Sequence, residues 1–220
     1  MSFEYKFKLP SKMLFNDILA FCEKHCAVDI YCHGGGFYHV VSAYKYFNKC
    51  SGSSIKIRLR EYSHEKGKDY FVEEKKRTFD GIQKRRLQIT FEQYLFLLYC
   101  ANRVEFFMYL KQIGFELSVP DYNTGVFDTY ILEYDRIPWT FYLNQKKYRI
   151  TLDYNISAFI NKKKYDLLED KAILELKGEQ NASELIRFFM EQFPIQISKI
   201  SKVKMAQREL KKIKCTVLDI

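Results

Sequence analysis

The sequence predicts an α+β protein built on an antiparallel sheet, and three observations carry that reading. Short segments alternate between apolar and charged residues, as in Phe3-Glu4-Tyr5-Lys6-Phe7-Lys8-Leu9 and Ile55-Lys56-Ile57-Arg58-Leu59-Arg60. Period two marks a strand with one buried face. Between such segments lie apolar residues at helical spacing, among them Met13, Leu14, Ile18, Leu19 and Phe21. The chain of 220 residues is also 47% hydrophobic and 17% aromatic, which supplies a substantial core and excludes a disordered tail protein. No repeat and no linker divides it, so residues 1–220 are expected to form a single domain.

The elements follow in order. The strand over residues 3–9 ends at Pro10, and Ser11 is placed to cap a helix over residues 12–25. Gly34-Gly35-Gly36 reads as a turn, and residues 38–47 as extended. The strand over residues 55–62 and the segment Tyr70 to Lys76, separated by the polar turn Ser63 to Asp69, form an expected hairpin. Residues 90–113 read as one or two helices closed by Gly114. After Pro120 come strands over residues 130–136, 139–143 and 148–153, the last two joined by Asn144-Gln145-Lys146-Lys147. A strand over residues 172–177 stops at Gly178. A helix is expected over residues 183–193, and the basic tail from Ser198 to Lys214 is expected to be helical.

Lys and Arg number 36 against 27 Asp and Glu, a formal net charge of +9. This favours anionic partners: nucleic acid, acidic lipid, nucleotides or polyphosphate. No stretch is apolar over the roughly 18 residues a membrane helix requires. The start lacks the basic-then-apolar pattern of a secretion signal, so a cytoplasmic protein is expected. The six cysteines are too sparse for a disulfide scaffold and are expected to be free thiols.

Residues two apart on a strand share a face, roughly 6.5–7 Å apart. Glu4 with Lys6, Arg58 with Arg60, Glu73 with Lys75, Arg149 with Thr151 and Asp153, and Glu175 with Lys177 therefore each project charge from one sheet surface. Two readings are open. The surface is either the solvated outer face of an ordinary antiparallel sheet, or a lining turned inward, around a tunnel, whose positive charge is neutralised by a polyanion.

The order of these segments resembles the polyphosphate polymerase domain of the vacuolar transporter chaperone (VTC) family, in the triphosphate tunnel metalloenzyme superfamily. The resemblance rests on Glu4-Tyr5-Lys6-Phe7, Lys56-Ile57-Arg58-Leu59-Arg60-Glu61-Tyr62 and Val72-Glu73-Glu74-Lys75-Lys76. It continues through Tyr134-Asp135-Arg136, Arg149-Ile150-Thr151-Leu152-Asp153, Leu174-Glu175-Leu176-Lys177 and Lys199-Ile200-Ser201-Lys202. It implies an antiparallel β-barrel, the triphosphate tunnel, with helices packed outside. It further implies an ATP–polyphosphate phosphotransferase in which a terminal phosphate attacks the ATP γ-phosphate and releases ADP. Phosphates would be held by Lys6, Arg58, Arg60, Lys75, Lys84, Arg136, Arg149 and Lys177. Lys199, Ser201, Lys202 and Arg149 would act at the reacting end, and Glu175 would hold Mn²⁺ or Mg²⁺. Two motifs depart from the pattern. Val41-Ser42-Ala43-Tyr44-Lys45-Tyr46 stands where the family reads Arg-Ser-x-Tyr-Phe-Asp, and Val203 stands where the serine-lysine motif ends in Tyr. That motif also aligns on Ser198-Lys199.

Other readings remain beside this one. Triphosphatases of the superfamily display Glu-x-Glu, whereas this chain has Glu4-x-Lys6 and Glu175-x-Lys177, which favours retaining a polyanion over hydrolysing it. Lys84-Arg85-Arg86 and the basic tail suit a nucleic-acid binder, yet no recognised nucleic-acid motif accompanies them. A polyphosphate-binding protein without catalysis, and a membrane-protein partner for export, stay open. Cys22, Cys26, Cys32, His25 and His33 lack Cys-x-x-Cys spacing for zinc. His33-Gly34-Gly35-Gly36 lacks a nucleophile elbow, and no P-loop is present.

Overall fold

The computed structural model describes residues 3–29, 32, 36–50, 53–117, 126–160, 163–168, 171–178 and 183–209. Strand β1 (Phe3–Leu9) leads into helix α1 (Lys12–His25). The Ser11 hydroxyl accepts the Leu14 N–H at 3.2 Å, pairing a donor that the first helical turn leaves unsatisfied. Next come β2 (Ala27–Val28), β3 (Tyr38–Cys50), β4 (Ser53–His64), β5 (Gly67–Thr78) and β6 (Gly81–Ile89), then α2 (Phe91–Tyr99) and α3 (Arg103–Gln112). The remainder holds β7 (Val126–Leu143), β8 (Lys146–Ile160), β9 (Lys163–Asp166), β10 (Ala172–Gly178) and α4 (Ser183–Gln192), and residues 202–209 are helical. This is the α+β, antiparallel class that the sequence predicts. The glycine turn at Gly34-Gly35 and the tail beyond residue 209 lie outside the described residues.

Four details differ from the sequence reading. The expected polar turn between β4 and β5 shrinks to Glu65-Lys66, because both strands run further. The four-residue turn before β8 is the pair Asn144 and Gln145, at φ 47° and 64°, two left-handed residues whose twist suits a tight hairpin. The two strands expected over residues 130–136 and 139–143 are one strand, β7, which runs through Pro138. Proline's fixed φ fits an extended backbone, and the Pro138 carbonyl accepts the Asp29 N–H just beyond β2. Finally, β6 covers the basic run Lys84-Arg85-Arg86, where three successive charges hide the alternation.

The chain forms two compact units. The first comprises Met1–Val40, His64–Lys66 and Leu132–Ile220, the second Val41–Ser63 and Gly67–Ile131. In the first unit the strand order is β1-β10-β8-β7, with β2 on β7 and β9 on β8. The antiparallel register places Lys6 opposite Glu175, Glu175 opposite Thr151, and Lys177 between Glu4 and Arg149. Phe7, Leu9, Ile150, Leu152, Leu174 and Leu176 point to the other side, where they join Leu14, Ile18 and Cys22 of α1 and Leu185 and Phe189 of α4 in one core. Gly178 ends β10 where a Cβ would lie 2.7 Å from ring atoms of both Phe3 and Tyr148.

In the second unit the order is β3-β4-β5-β6. Glu73 lies opposite Arg86 and Lys75 opposite Lys84. Ile55, Ile57, Leu59, Val72 and Ile89 pack against Tyr94 and Leu97 of α2 and Phe106, Phe107 and Leu110 of α3. A capping box between Thr90 and Gln93 opens α2. Gly114, at φ 82°, closes α3 and lets the Phe115 N–H reach the Leu110 carbonyl. Lys45, in the Phe position of the departing motif, is buried and donates to the Leu98 and Cys100 carbonyls at 3.1 and 2.9 Å. It thereby satisfies acceptors at the end of α2.

Candidate functional site

The charged strand faces are buried in part. Asp153 is 0% exposed, Glu175 3%, and Arg60 and Arg136 7% each. An ordinary solvated sheet face does not bury four charged side chains this deeply. Charge at this depth is tolerated only when paired, and each unit pairs its own.

In the first unit the buried acids organise the cations. Glu175 Oε2 lies 3.3 Å from Lys6 Nζ, and Lys177 Nζ bonds the other oxygen. Lys6 also meets Glu4 at 2.7 Å. Asp153 receives both sides of the Arg136 guanidinium, Nε at 2.5 Å and Nη2 at 2.7 Å, and its Oδ2 also holds Lys202. Burial works to raise both carboxyls, but the cations outweigh it. Arg136 and then Lys202 bring Asp153 below its ordinary value, and Lys177 and Lys6 bring Glu175 well below. Burial works to lower the Lys6 ammonium, yet Glu175 and Glu4 raise it on balance. The Tyr134 ring backs both Lys202, 4.4 Å from its centre, and Arg136, at 5.3 Å.

Arg149 donates to the Tyr38 hydroxyl at 3.2 Å and lies 3.3 Å from Asp29, with its side chain 43% exposed. Thr151, between Arg149 and Asp153 on the same face, has a buried hydroxyl without a hydrogen-bond partner among the described residues. The two alignments of the serine-lysine motif separate here. Lys199 is exposed, while Lys202 reaches Asp153. Ser201 starts the terminal helix, its hydroxyl 3.5 Å from the Lys204 N–H and its carbonyl accepting Met205. Ser198 N–H bonds the Lys6 carbonyl at 2.8 Å, tying this segment to β1.

In the second unit three guanidinium groups converge on Glu73. Arg58 bonds it through Nε at 2.7 Å and Nη2 at 2.6 Å, and Arg60 and Arg86 each approach to 3.6 Å. Burial would raise the Glu73 carboxyl, but Arg60, Arg58 and Arg86 bring it down to about 2. Arg60 Nε donates to the Ser42 hydroxyl at 3.1 Å, and Arg58 Nη1 to the Tyr44 hydroxyl at 3.1 Å. The Ser and Tyr retained in the departing motif thus orient the double arginine. Tyr44 stacks on Tyr130, centres 5.1 Å apart and planes 10° apart. Burial raises the Tyr44 phenol, but Arg58 and Arg60 leave it below its ordinary value. Lys75 is half-buried and Lys84 exposed, opposite each other on neighbouring strands.

The basic run that suggested nucleic acid is divided by the strand. Lys84 and Arg86 share the face of Glu73, while Arg85 bonds the Glu116 carbonyl and lies over Phe115. The cysteines behave as free thiols where described: Cys22, Cys26, Cys32 and Cys100 are unbridged. Sequence reasoning gave no role to Asp153, Glu73, Thr151, Tyr38 or Tyr134. The first three were visible as members of charged strand faces and Tyr134 as part of Tyr134-Asp135-Arg136, whereas nothing local marks Tyr38.

Among the described residues no three His, Cys, Asp or Glu side chains converge as a metal site. Glu175 is already spanned by two ammonium groups, so a divalent ion held by the chain alone does not suit this donor set. An ion carried in on phosphate oxygens needs only one or two carboxylates from the protein. Elsewhere in the first unit, a cavity of about 830 Å³ is lined by His39, Glu133, Asp135, Tyr154 and Lys164 among others. Its acids Glu133, Asp135 and Asp166 are matched by Lys12, Lys164 and Lys171. No helix among the described residues is long and apolar enough to cross a membrane.

Fold and site together define an antiparallel α+β protein whose sheet faces carry buried, arginine-rich ion-pair clusters. The VTC domain family matches residues 3–210. The chain belongs to that family. No curated protein matches it. Among solved structures, a protein of Pyrococcus horikoshii OT3 is 12% identical, with a TM-score of 0.48, covering 94% of this chain and 99% of that one. A candidate adenylate cyclase of Bacillus halodurans is 14% identical, with a TM-score of 0.47, covering 90% and 93%.

Proposed function

We propose that the protein is a polyphosphate polymerase that moves the γ-phosphoryl group of ATP onto a growing polyphosphate chain. The observation that carries this reading is the burial of charge on one sheet face in each unit, where Arg60, Arg136, Asp153 and Glu175 are nearly inaccessible. Membership of the VTC family supports it. Arg58, Arg60, Lys75 and Lys84 hold phosphate oxygens in the second unit. Arg136, Arg149, Lys6, Lys177 and Lys202 do so in the first, and the Thr151 hydroxyl is placed to bond one of them. Arginine offers planar paired bonds to such oxygens and lysine a compact charge.

Phosphoryl transfer requires positioning and charge neutralisation more than covalent help. A terminal phosphate oxygen of the chain forms the new P–O bond as the bond to the β–γ bridging oxygen breaks, and ADP leaves with that electron pair. Mn²⁺ or Mg²⁺, arriving with the nucleotide and held by Glu175, would supply further neutralisation of the phosphate oxygens. Lys202 and Arg149 face the reacting end. Lys199, exposed, and Ser201, engaged at the helix start, contribute less than the sequence motif implies.

The test supplies purified protein with ATP, with and without Mn²⁺, and follows ADP, free phosphate and chain length. Chain growth matched by ADP is the expected result. Free phosphate without chains assigns the protein to the triphosphatases, and tight polyphosphate binding without turnover makes it a binding protein. Arg58→Ala and Arg149→Ala are each expected to weaken polyphosphate binding by about tenfold, the loss of one charge-assisted contact. Preference for RNA or DNA over polyphosphate overturns the reading.

A further inference from the structure

We propose that Arg86, Phe71 and Tyr62 form a stacking site for a nucleobase, so that this face of the second unit selects a nucleoside triphosphate over an inorganic phosphate chain. The inference rests on the reading of the same face as a phosphate site. The Arg86 guanidinium carbon lies 3.4 Å from the centre of the Phe71 ring and 5.3 Å from that of Tyr62. The two rings are 5.8 Å apart at 75°. A separation of 3.4 Å puts the guanidinium carbon in van der Waals contact with the ring.

Arg86 has two neighbours, an acid and a ring. Arg58 takes the Glu73 Oε2 at 2.7 and 2.6 Å, and Arg86 Nε lies 3.6 Å from Oε1. The contact with Phe71 is the closer of the two. The Arg86 side chain is 47% exposed, so one side of the guanidinium is backed by Phe71 while the group stays open to a ligand. A base stacks on a guanidinium plane or an aromatic ring without regard to its hydrogen-bonding edge.

The neighbouring positions suit the rest of a nucleotide. Tyr62 follows Arg60 and Arg58 on the same face of β4 at steps of roughly 6.5–7 Å, and Arg60 donates to the Tyr62 hydroxyl at 3.0 Å. The phosphate-binding arginines and the stacking cluster are therefore consecutive along one strand. A phosphate chain alone has no flat face to offer this cluster. A nucleoside triphosphate uses both parts.

Calorimetric titration of the full chain with ATP and with tripolyphosphate, at one salt concentration, separates base from phosphate. Tripolyphosphate carries the greater charge, so charge alone ranks it first. Stacking is expected to make ATP bind about tenfold more tightly. That ratio is expected to fall towards one in Arg86→Lys, which keeps the charge without the plane, and in Phe71→Leu, which keeps the bulk without the ring. Equal affinities in the unaltered protein, or a ratio unchanged in both variants, overturn the base site. If neither ligand binds, the phosphate reading of the face fails first. If single-stranded RNA binds more tightly than ATP, the cluster serves a nucleic acid and the proposal is overturned in that form.

Discussion

Replacing Asp153 by Asn tests whether the first unit's face is held together by its buried charge. The change keeps shape and volume but removes the negative charge from a group that is 0% exposed, bonded twice by Arg136 and once by Lys202. Those partners have side chains only 9% and 11% exposed, so water cannot replace the lost carboxylate. Breaking one side of a buried pair costs about 3–5 kcal/mol. For a chain of this size that lowers the unfolding midpoint by roughly 6–20 °C. Trp139, the chain's single tryptophan, lies in the first unit's core and is 2% exposed, so its fluorescence in a urea or thermal titration reads the right unit. Polyphosphate in excess is expected to restore more stability to Asp153→Asn than to the unaltered protein, because the ligand supplies the missing negative charge. A variant within about 0.5 kcal/mol of the parent would show that Asp153 is not what stabilises Arg136 and Lys202, and the argument from buried pairing would fall.

Acid should act on the second unit through Glu73. Folding lowers this carboxyl from 4.5 to about 2, so its stabilisation, of order 3 kcal/mol, is complete only above the unfolded value and is lost as pH falls through about 2. The unfolding free energies of the parent and Glu73→Gln are expected to differ most at pH 6 and to converge only as pH approaches about 2; a constant difference would refute the link. Gly178→Ala is expected to destabilise by roughly 1–3 kcal/mol, since its Cβ would meet two rings at 2.7 Å. A gain in the melting midpoint would mean that Phe3 and Tyr148 swing aside and that only the lower chain entropy of alanine counts.

Much of the fold was legible because it repeats a local signal. The alternation in β1, β4 and β10, the serine before α1 and the glycine after α3 each act over a few residues, and each element forms where that signal stands. Where the signal was mixed, neighbours decided. β6 has charge on both sides, and its strand state follows from pairing with β5. β7 keeps its direction through Pro138, with Ala27 and Val28 paired beside Thr140 and Trp139. For the site, which residues are charged and which of them share a face could be read at two-residue spacing. Their partners could not, since Arg149 meets Tyr38 from 111 positions away and Lys202 meets Asp153 from 49.

The sequence by itself determined that the chain has apolar and charged strand faces, since side-chain alternation is a property of each strand alone. Only the tertiary structure decided which charges on those faces are buried. That outcome depends on which carboxylate lies against which cation, and burial is tolerable only because Glu73, Asp153 and Glu175 each meet at least two cationic side chains.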